Sequence, residues 1–106
     1  MGIKALSWNS HSLRNKFTEL SLFINKLSID LIFISESWLS DKDNFNIPNF
    51  VSYRTYRARG GTAIFIKSSI PHSNFERIQL NYAESTTISL HLDNQVLKIS
   101  SIYCSP

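Results

Sequence analysis

Leu31-Ile32-Phe33-Ile34 is an uninterrupted apolar run, bounded by Asp30 on one side and by Ser35-Glu36-Ser37 on the other. A run with no polar alternation leaves neither face for water, so Asp30 to Ser35 reads as a strand covered on both sides. The stretch before it reads as a helix. Leu13, Phe17, Leu20, Ile24 and Leu27 recur at spacings of four, three, four and three, with Lys16, Glu19 and Lys26 off the stripe. Ser12 is the expected N-cap of that helix. Further upstream, Ile3 to Trp8 reads as a strand that ends in the polar turn Asn9-Ser10-His11-Ser12. Strand, helix and doubly covered strand in this order suggest a βαβ-like opening, and the rest of the chain has to be arranged around it.

The remainder reads mostly as strands. Trp38 to Asn46, with Asp41, Lys42 and Asp43, is expected as a surface segment, and Pro48-Asn49 as a turn. Phe50 to Tyr56 alternates Val51, Tyr53 and Thr55 against Ser52, Arg54 and Tyr56, a strand pattern. Arg57-Ala58-Arg59-Gly60-Gly61 is a basic turn, followed by a strand from Thr62 to Lys67. Ser68 to Glu84 is polar and interrupted by Pro71, with one short strand suggested by Phe75, Ile78 and Leu80. Thr86 to Leu92 and Gln95 to Tyr103 read as a hairpin around Asp93-Asn94, a pair that tolerates positive φ. The expected architecture is α/β: one mixed sheet of about six strands with one main helix. No internal repeat or domain boundary is visible.

Composition narrows the class. Hydrophobic residues make up 42% of the chain and charged residues 18%, a globular balance. The longest apolar run is far too short to span a bilayer, so no membrane partner is expected. Cys104 is the single cysteine, which excludes a disulfide framework and a cysteine zinc site. His11, His72 and His91 lack metal-ligand spacing. The start, Met1-Gly2-Ile3-Lys4, has no secretory pattern, and an intracellular setting is expected. The net charge of +3 is compatible with a nucleic-acid partner.

Several polar residues stand at strand ends, where open α/β sheets place their sites. Glu36 follows the buried strand; its carboxylate can ligate a hard divalent ion, or simply be a solvated acid. Asn9 follows the first strand and would lie beside Glu36 in a parallel pair. Its amide can hold a phosphate oxygen or a metal-bound water, or only shape the turn. Tyr103 ends the last strand; its phenol can donate to a phosphoryl oxygen or merely pack on a neighbour. Arg57, Arg59, Gly60 and Gly61 combine charge with bare backbone and can touch a phosphodiester backbone, or can make a plain hairpin turn. The three histidines show no acidic partner in sequence and are expected to be structural or solvated.

Taken together, the order of these segments is more specific than any one of them. Leu6-Ser7-Trp8-Asn9, Leu13-Arg14-Asn15-Lys16 and Asp30 through Leu39 resemble the opening of the endonuclease/exonuclease/phosphatase superfamily. Ile47-Pro48-Asn49-Phe50, Arg59-Gly60-Gly61-Thr62 and Ile102-Tyr103-Cys104-Ser105-Pro106 narrow the resemblance to the apurinic-endonuclease-like endonuclease domain of non-LTR retrotransposons. The resemblance implies the N-terminal half of a four-layer α/β sandwich across residues 1–106. It implies metal-assisted hydrolysis of a DNA phosphodiester, with Mg²⁺ or Mn²⁺ as cofactor. Glu36 would be the metal carboxylate, Asn9 would organise the metal–phosphate site, and Tyr103 would contact the scissile phosphate. DNA is the implied partner, alongside a reverse transcriptase domain in the parent protein, and the nucleus is the implied location.

The resemblance also marks departures. The family continues with an Asp-Phe-Asn and a Ser-Asp-His motif, neither of which occurs here. Where the family often carries Asp before Arg57, this chain has Tyr56. His11 stands where the family varies. The expectation is therefore a fragment of a target-site-nicking endonuclease, C-terminal half missing and inactive alone. An uncovered apolar sheet face, including Ala63–Ile66 and Val96–Tyr103, is expected to drive self-association. Two other readings are a noncatalytic remnant that binds nucleic acid or protein weakly, and another phosphoesterase of the same superfamily.

Overall fold

The computed structural model describes residues 2–40, 42–57 and 59–104. Strand β1 (Ala5–Asn9) leads through a short 3₁₀ turn (Leu13–Lys16) into helix α1 (Phe17–Leu27) and then into β2 (Leu31–Ser35). The βαβ-like opening is present: β1 and β2 pair in parallel, with Asn9 opposite Ser35. Strands β3 (Phe50–Thr55), β4 (Thr62–Lys67), β5 (His72–Gln79), β6 (Ala83–Leu92) and β7 (Gln95–Cys104) follow.

The strands form two sheets where the sequence suggested one of about six strands. A mixed sheet has the order β1-β2-β4-β3, and an antiparallel sheet has the order β5-β6-β7. The two stack face to face. Thr62 Oγ1 meets Thr86 Oγ1 at 2.9 Å, setting β6 over β4. Ser101 Oγ donates to the Ile34 carbonyl at 2.8 Å, setting β7 over β2. Arg77 donates to the Arg54 carbonyl at 2.8 Å, setting β5 beside β3. Helix α1 packs on one face of β1, with Phe23 edge-on to Trp8 at 6.2 Å, and the face toward the second sheet stays open. That leaves a groove of about 260 Å³ lined by Ser7, Phe33, Ser35 and Ser100 to Ile102.

The strict alternation of a strand divides the core into two layers. Leu31, Ile64, Ile66, Ile88 and Leu90 fill the space between the sheets. Ile32, Ile34, Ala63 and Phe65 point to the other face of the mixed sheet, where Leu13, Leu20, Leu39, Phe45 and Ile47 cover them. This corrects one expectation: Ala63 to Ile66 are buried throughout, because a second sheet built from this same chain covers Ile64 and Ile66 while Ala63 and Phe65 pack on the helix side. Val96, Leu97 and Ile102, by contrast, are exposed as expected.

Two further local readings change. Ser12 does not cap a helix with its hydroxyl; it sits at φ 85°, and the chain enters α1 through the 3₁₀ turn. Trp38 to Asn46 is no plain surface segment, since Leu39 and Phe45 are buried. Arg14 pairs with Asp43, and Arg54 donates to the carbonyls of Asp43 and Phe45, tying this segment to the body. The helical stripe is only half used: Leu13 and Leu20 are buried, while Phe17 and Leu27 are about half exposed. At the other end of the chain, the Asp93-Asn94 turn has φ 46° and 68°, as its two-residue hairpin requires.

Candidate active site

The parallel pairing of β1 and β2 brings both of their C-terminal ends to one edge. Asn9 Nδ2 donates to Glu36 Oε2 at 2.8 Å. The loop after β1 is pinned to the loop after β2 by backbone bonds. Ser10 N–H donates to the Ser35 carbonyl (2.9 Å), Ser12 N–H to that of Glu36 (3.0 Å) and Leu13 N–H to that of Ser37 (2.9 Å). Glu36 itself adopts a left-handed backbone, φ 51°, which swings its side chain out of the strand's alternation. The Asn9 amide holds the Glu36 carboxyl below its ordinary value; partial burial opposes this, and His11 adds to the lowering. The site therefore keeps an ionised carboxylate, which only accepts hydrogen bonds.

His11 is the residue that sequence reasoning missed. Its Nδ1 lies 3.3 Å from Glu36 Oε1, and its ring packs against Trp38 at 4.5 Å between centroids, tilted by 56°. The acidic partner was out of sight because it lies 25 residues away. A signal was nonetheless present: a turn closing a parallel pair faces whatever ends the next strand.

Tyr103 belongs to the same edge by register. It stands directly opposite Glu84 on β6, and shares the inward face of β7 with Ser101. Ser101 bonds the Ile34 carbonyl, so Tyr103, two residues further on, lies over the end of β2 where Glu36 begins.

The turn between β3 and β4 is held from below. Glu84 is fully buried, and its Oε2 accepts the Gly61 N–H at 2.7 Å. Its Oε1 lies 2.5 Å from Arg57 Nε as an ion pair. Arg57 also donates to the carbonyls of Leu80 (2.6 Å) and Asn81 (3.3 Å). Its guanidinium is thus engaged within the protein, whereas Arg59 is exposed and rests over the Trp38 ring at 5.5 Å. Gly61 needs its φ of 86°, and a Cβ there would stand 2.8 Å from Ser37 Oγ. The Gly60 and Gly61 carbonyls in turn accept the Trp38 and Ser37 N–H groups, at 2.9 and 3.3 Å. Tyr56, in the family's Asp position, lies under the Arg77 guanidinium at 5.4 Å. Cys104 is an exposed free thiol. His72 accepts from the Tyr53 hydroxyl at 2.7 Å, and His91 pairs with Ser73 at 2.6 Å; both are remote from Glu36 in the fold.

Comparison with known proteins bears on the fold and the family. Residues 6–100 match the model of the Endonuclease/Exonuclease/phosphatase family. A probable RNA-directed DNA polymerase from transposon BS of Drosophila melanogaster is 24% identical over 110 residues, covering 98% of this chain and 12% of the relative. The crystal structure of D. rerio TDP2 complexed with single strand DNA product superposes with a TM-score of 0.71 at 14% identity, covering 98% of this chain and 46% of that one. The Xenopus laevis APE2 catalytic domain gives a TM-score of 0.62 at 18% identity, covering 93% and 44%. The chain thus spans somewhat under half the length of these solved chains and about an eighth of the transposon polymerase. At such identities the solved structures establish the shared fold, and the family model covers most of the sequence: the chain belongs to the Endonuclease/Exonuclease/phosphatase family.

Proposed function

We propose that this chain is the metal–phosphate half of a DNA endonuclease domain that nicks target DNA for a retrotransposon. One observation carries the reading: Asn9 and Glu36 are hydrogen-bonded at the C-terminal edge of a parallel pair, with Tyr103 at the same edge. The transposon polymerase relative and the DNA-bound TDP2 structure support DNA as the substrate and a reverse transcriptase as the companion domain. Such a substrate would place the working protein in the nucleus.

The donor set fits a hard divalent cation, Mg²⁺ or Mn²⁺. Glu36 offers carboxylate oxygens and Asn9 an amide oxygen. Magnesium uses one or two carboxylates and completes its shell with water and substrate phosphate. When bound, such a cation supplies Lewis-acid stabilisation of charge on a phosphoryl oxygen. Glu36, kept ionised by Asn9, would hold it. The Tyr103 phenol donates to the phosphoryl oxygen as charge develops. Arg59 meets the phosphodiester backbone, and Gly60 and Gly61 allow that backbone close approach. Arg57 contributes by holding the turn. Glu36 and His11 are the acid and imidazole paired at this edge, without a further carboxylate–histidine group gathered there among the described residues, and the chain alone is expected to be inactive.

The test is a plasmid-nicking assay with Mg²⁺ on this chain and on a version extended by a second half-domain from a related element. The extended protein is expected to nick DNA and to lose nicking in Glu36→Ala. An extended protein that binds DNA without cleaving it would favour the noncatalytic binding module, a reading supported by the lone carboxylate. Cleavage of lipid or sugar phosphates in place of DNA would favour another phosphoesterase.

A further inference from the structure

We propose that His11 is a third donor of the cation site, and that its imidazole nitrogen turns the site from magnesium toward transition-metal dications. The inference rests on the metal reading above and deepens it.

Glu36 divides its two oxygens between two neighbours. Oε2 faces the Asn9 amide at 2.8 Å, and Oε1 faces His11 Nδ1 at 3.3 Å. Neighbouring ligands of an octahedral cation at ordinary bond lengths lie about 3 Å apart. The spacings of Asn9 and of His11 to Glu36 therefore match those of adjacent ligands.

The histidine is also placed, although its side chain is 71% exposed. Its turn is fixed by the flanking Ser10 and Ser12 N–H bonds to the end of β2. Its own φ is 48°, a conformation the pinned turn imposes. The Trp38 ring, 4.5 Å away, fixes the imidazole from the side. A solvated surface histidine would need none of these supports.

The chemistry follows from the nitrogen. Facing an ionised carboxylate that can only accept, Nδ1 now donates its proton to Glu36. With the proton on the solvent-facing Nε2, Nδ1 presents a lone pair to the same position, and the Asn9 amide turns to present Oδ1. Magnesium prefers oxygen donors, while imidazole raises affinity for first-row transition metals. An N,O,O set should therefore favour Mn²⁺ over Mg²⁺.

The experiment uses Mn²⁺ alone, titrated into the 106-residue chain and followed by electron paramagnetic resonance, with Mg²⁺ as competitor. The expected result is Glu36-dependent binding, several-fold tighter for Mn²⁺ than for Mg²⁺, with a nitrogen hyperfine coupling from a directly bound imidazole. His11→Ala should remove the coupling and weaken Mn²⁺ binding about tenfold, more than it weakens Mg²⁺ binding. His11→Phe keeps a ring against Trp38 and should behave the same way, which separates ligation from packing. Glu36-dependent Mn²⁺ binding without nitrogen coupling would overturn the role of His11 and leave the metal reading standing. Binding that ignores Glu36→Ala, or no binding, would overturn both.

Discussion

Gly61 and Glu84 meet across the two sheets: the Gly61 N–H donates to the buried Glu84 Oε2 at 2.7 Å. Through this contact the second sheet fixes the turn whose carbonyls hold Ser37 and Trp38, the residues that follow Glu36. The site edge is therefore a property of both sheets, although its chemistry lies on the first.

Glu84→Ala should unfold the chain at lower denaturant. It strips Arg57 of its buried partner and leaves the Gly61 N–H unpaired. Breaking a buried pair from one side costs about 3–5 kcal/mol. Urea titration should show a lowered midpoint with an unchanged slope. Glu84→Gln retains an acceptor for Gly61 and should lose less; equal losses would show that the acceptor is irrelevant.

Gly61→Ala should cost at least about 1–2 kcal/mol, because left-handed backbone disfavours a Cβ. Crowding against Ser37 Oγ at 2.8 Å and the Thr55 carbonyl at 3.1 Å adds to this. Gly2→Ala, where nothing lies within 4 Å, should be neutral in the same thermal melts. A Gly61→Ala protein as stable as wild type would contradict the strained turn.

The Glu36 carboxyl titrates below its ordinary value of 4.5, chiefly through Asn9. A group with a lowered folded pKa contributes stability at pH values above its unfolded pKa, and that contribution disappears as pH falls through the folded one. Acid should therefore loosen the edge only below about pH 4.5. Asn9→Ala should move the Glu36 titration upward toward 4.5, read by carboxyl-carbon NMR. An unmoved titration would place the cause elsewhere.

Arg57 and Arg59 should separate by experiment. Arg59→Ala should weaken DNA binding and reduce the salt slope by about one unit, as for a single phosphate contact, with stability unchanged. Arg57→Ala should lower stability first, since its guanidinium is bound to Glu84, Leu80 and Asn81. Equal effects of both on the salt slope would return Arg57 to the DNA surface.

Ile78, Ser85 and Ile102 lie in one cross-strand row on the outer face of the second sheet. The two isoleucines are 53% and 63% exposed. We expect this row to promote association between copies, and Ile78→Thr with Ile102→Thr to raise the monomer fraction in sedimentation. An unchanged distribution would remove the row as the cause.

The local pattern by itself determined the opening of the fold. A helical stripe before a doubly apolar run dictates two parallel strands, and parallel strands bring their ends together, so Asn9 and Glu36 were legible as neighbours. The Asp93-Asn94 hairpin and the Thr62–Lys67 strand were equally legible, because turn chemistry and alternation act over a few residues. What lies across the stack was not. The division into two sheets, the burial of Ala63 to Ile66, the ion pair of Arg57 with Glu84 and the approach of His11 to Glu36 all join residues more than twenty positions apart or depend on which sheet faces which. Periodicity records that a face is covered but carries no label for what covers it; only the tertiary packing decided that.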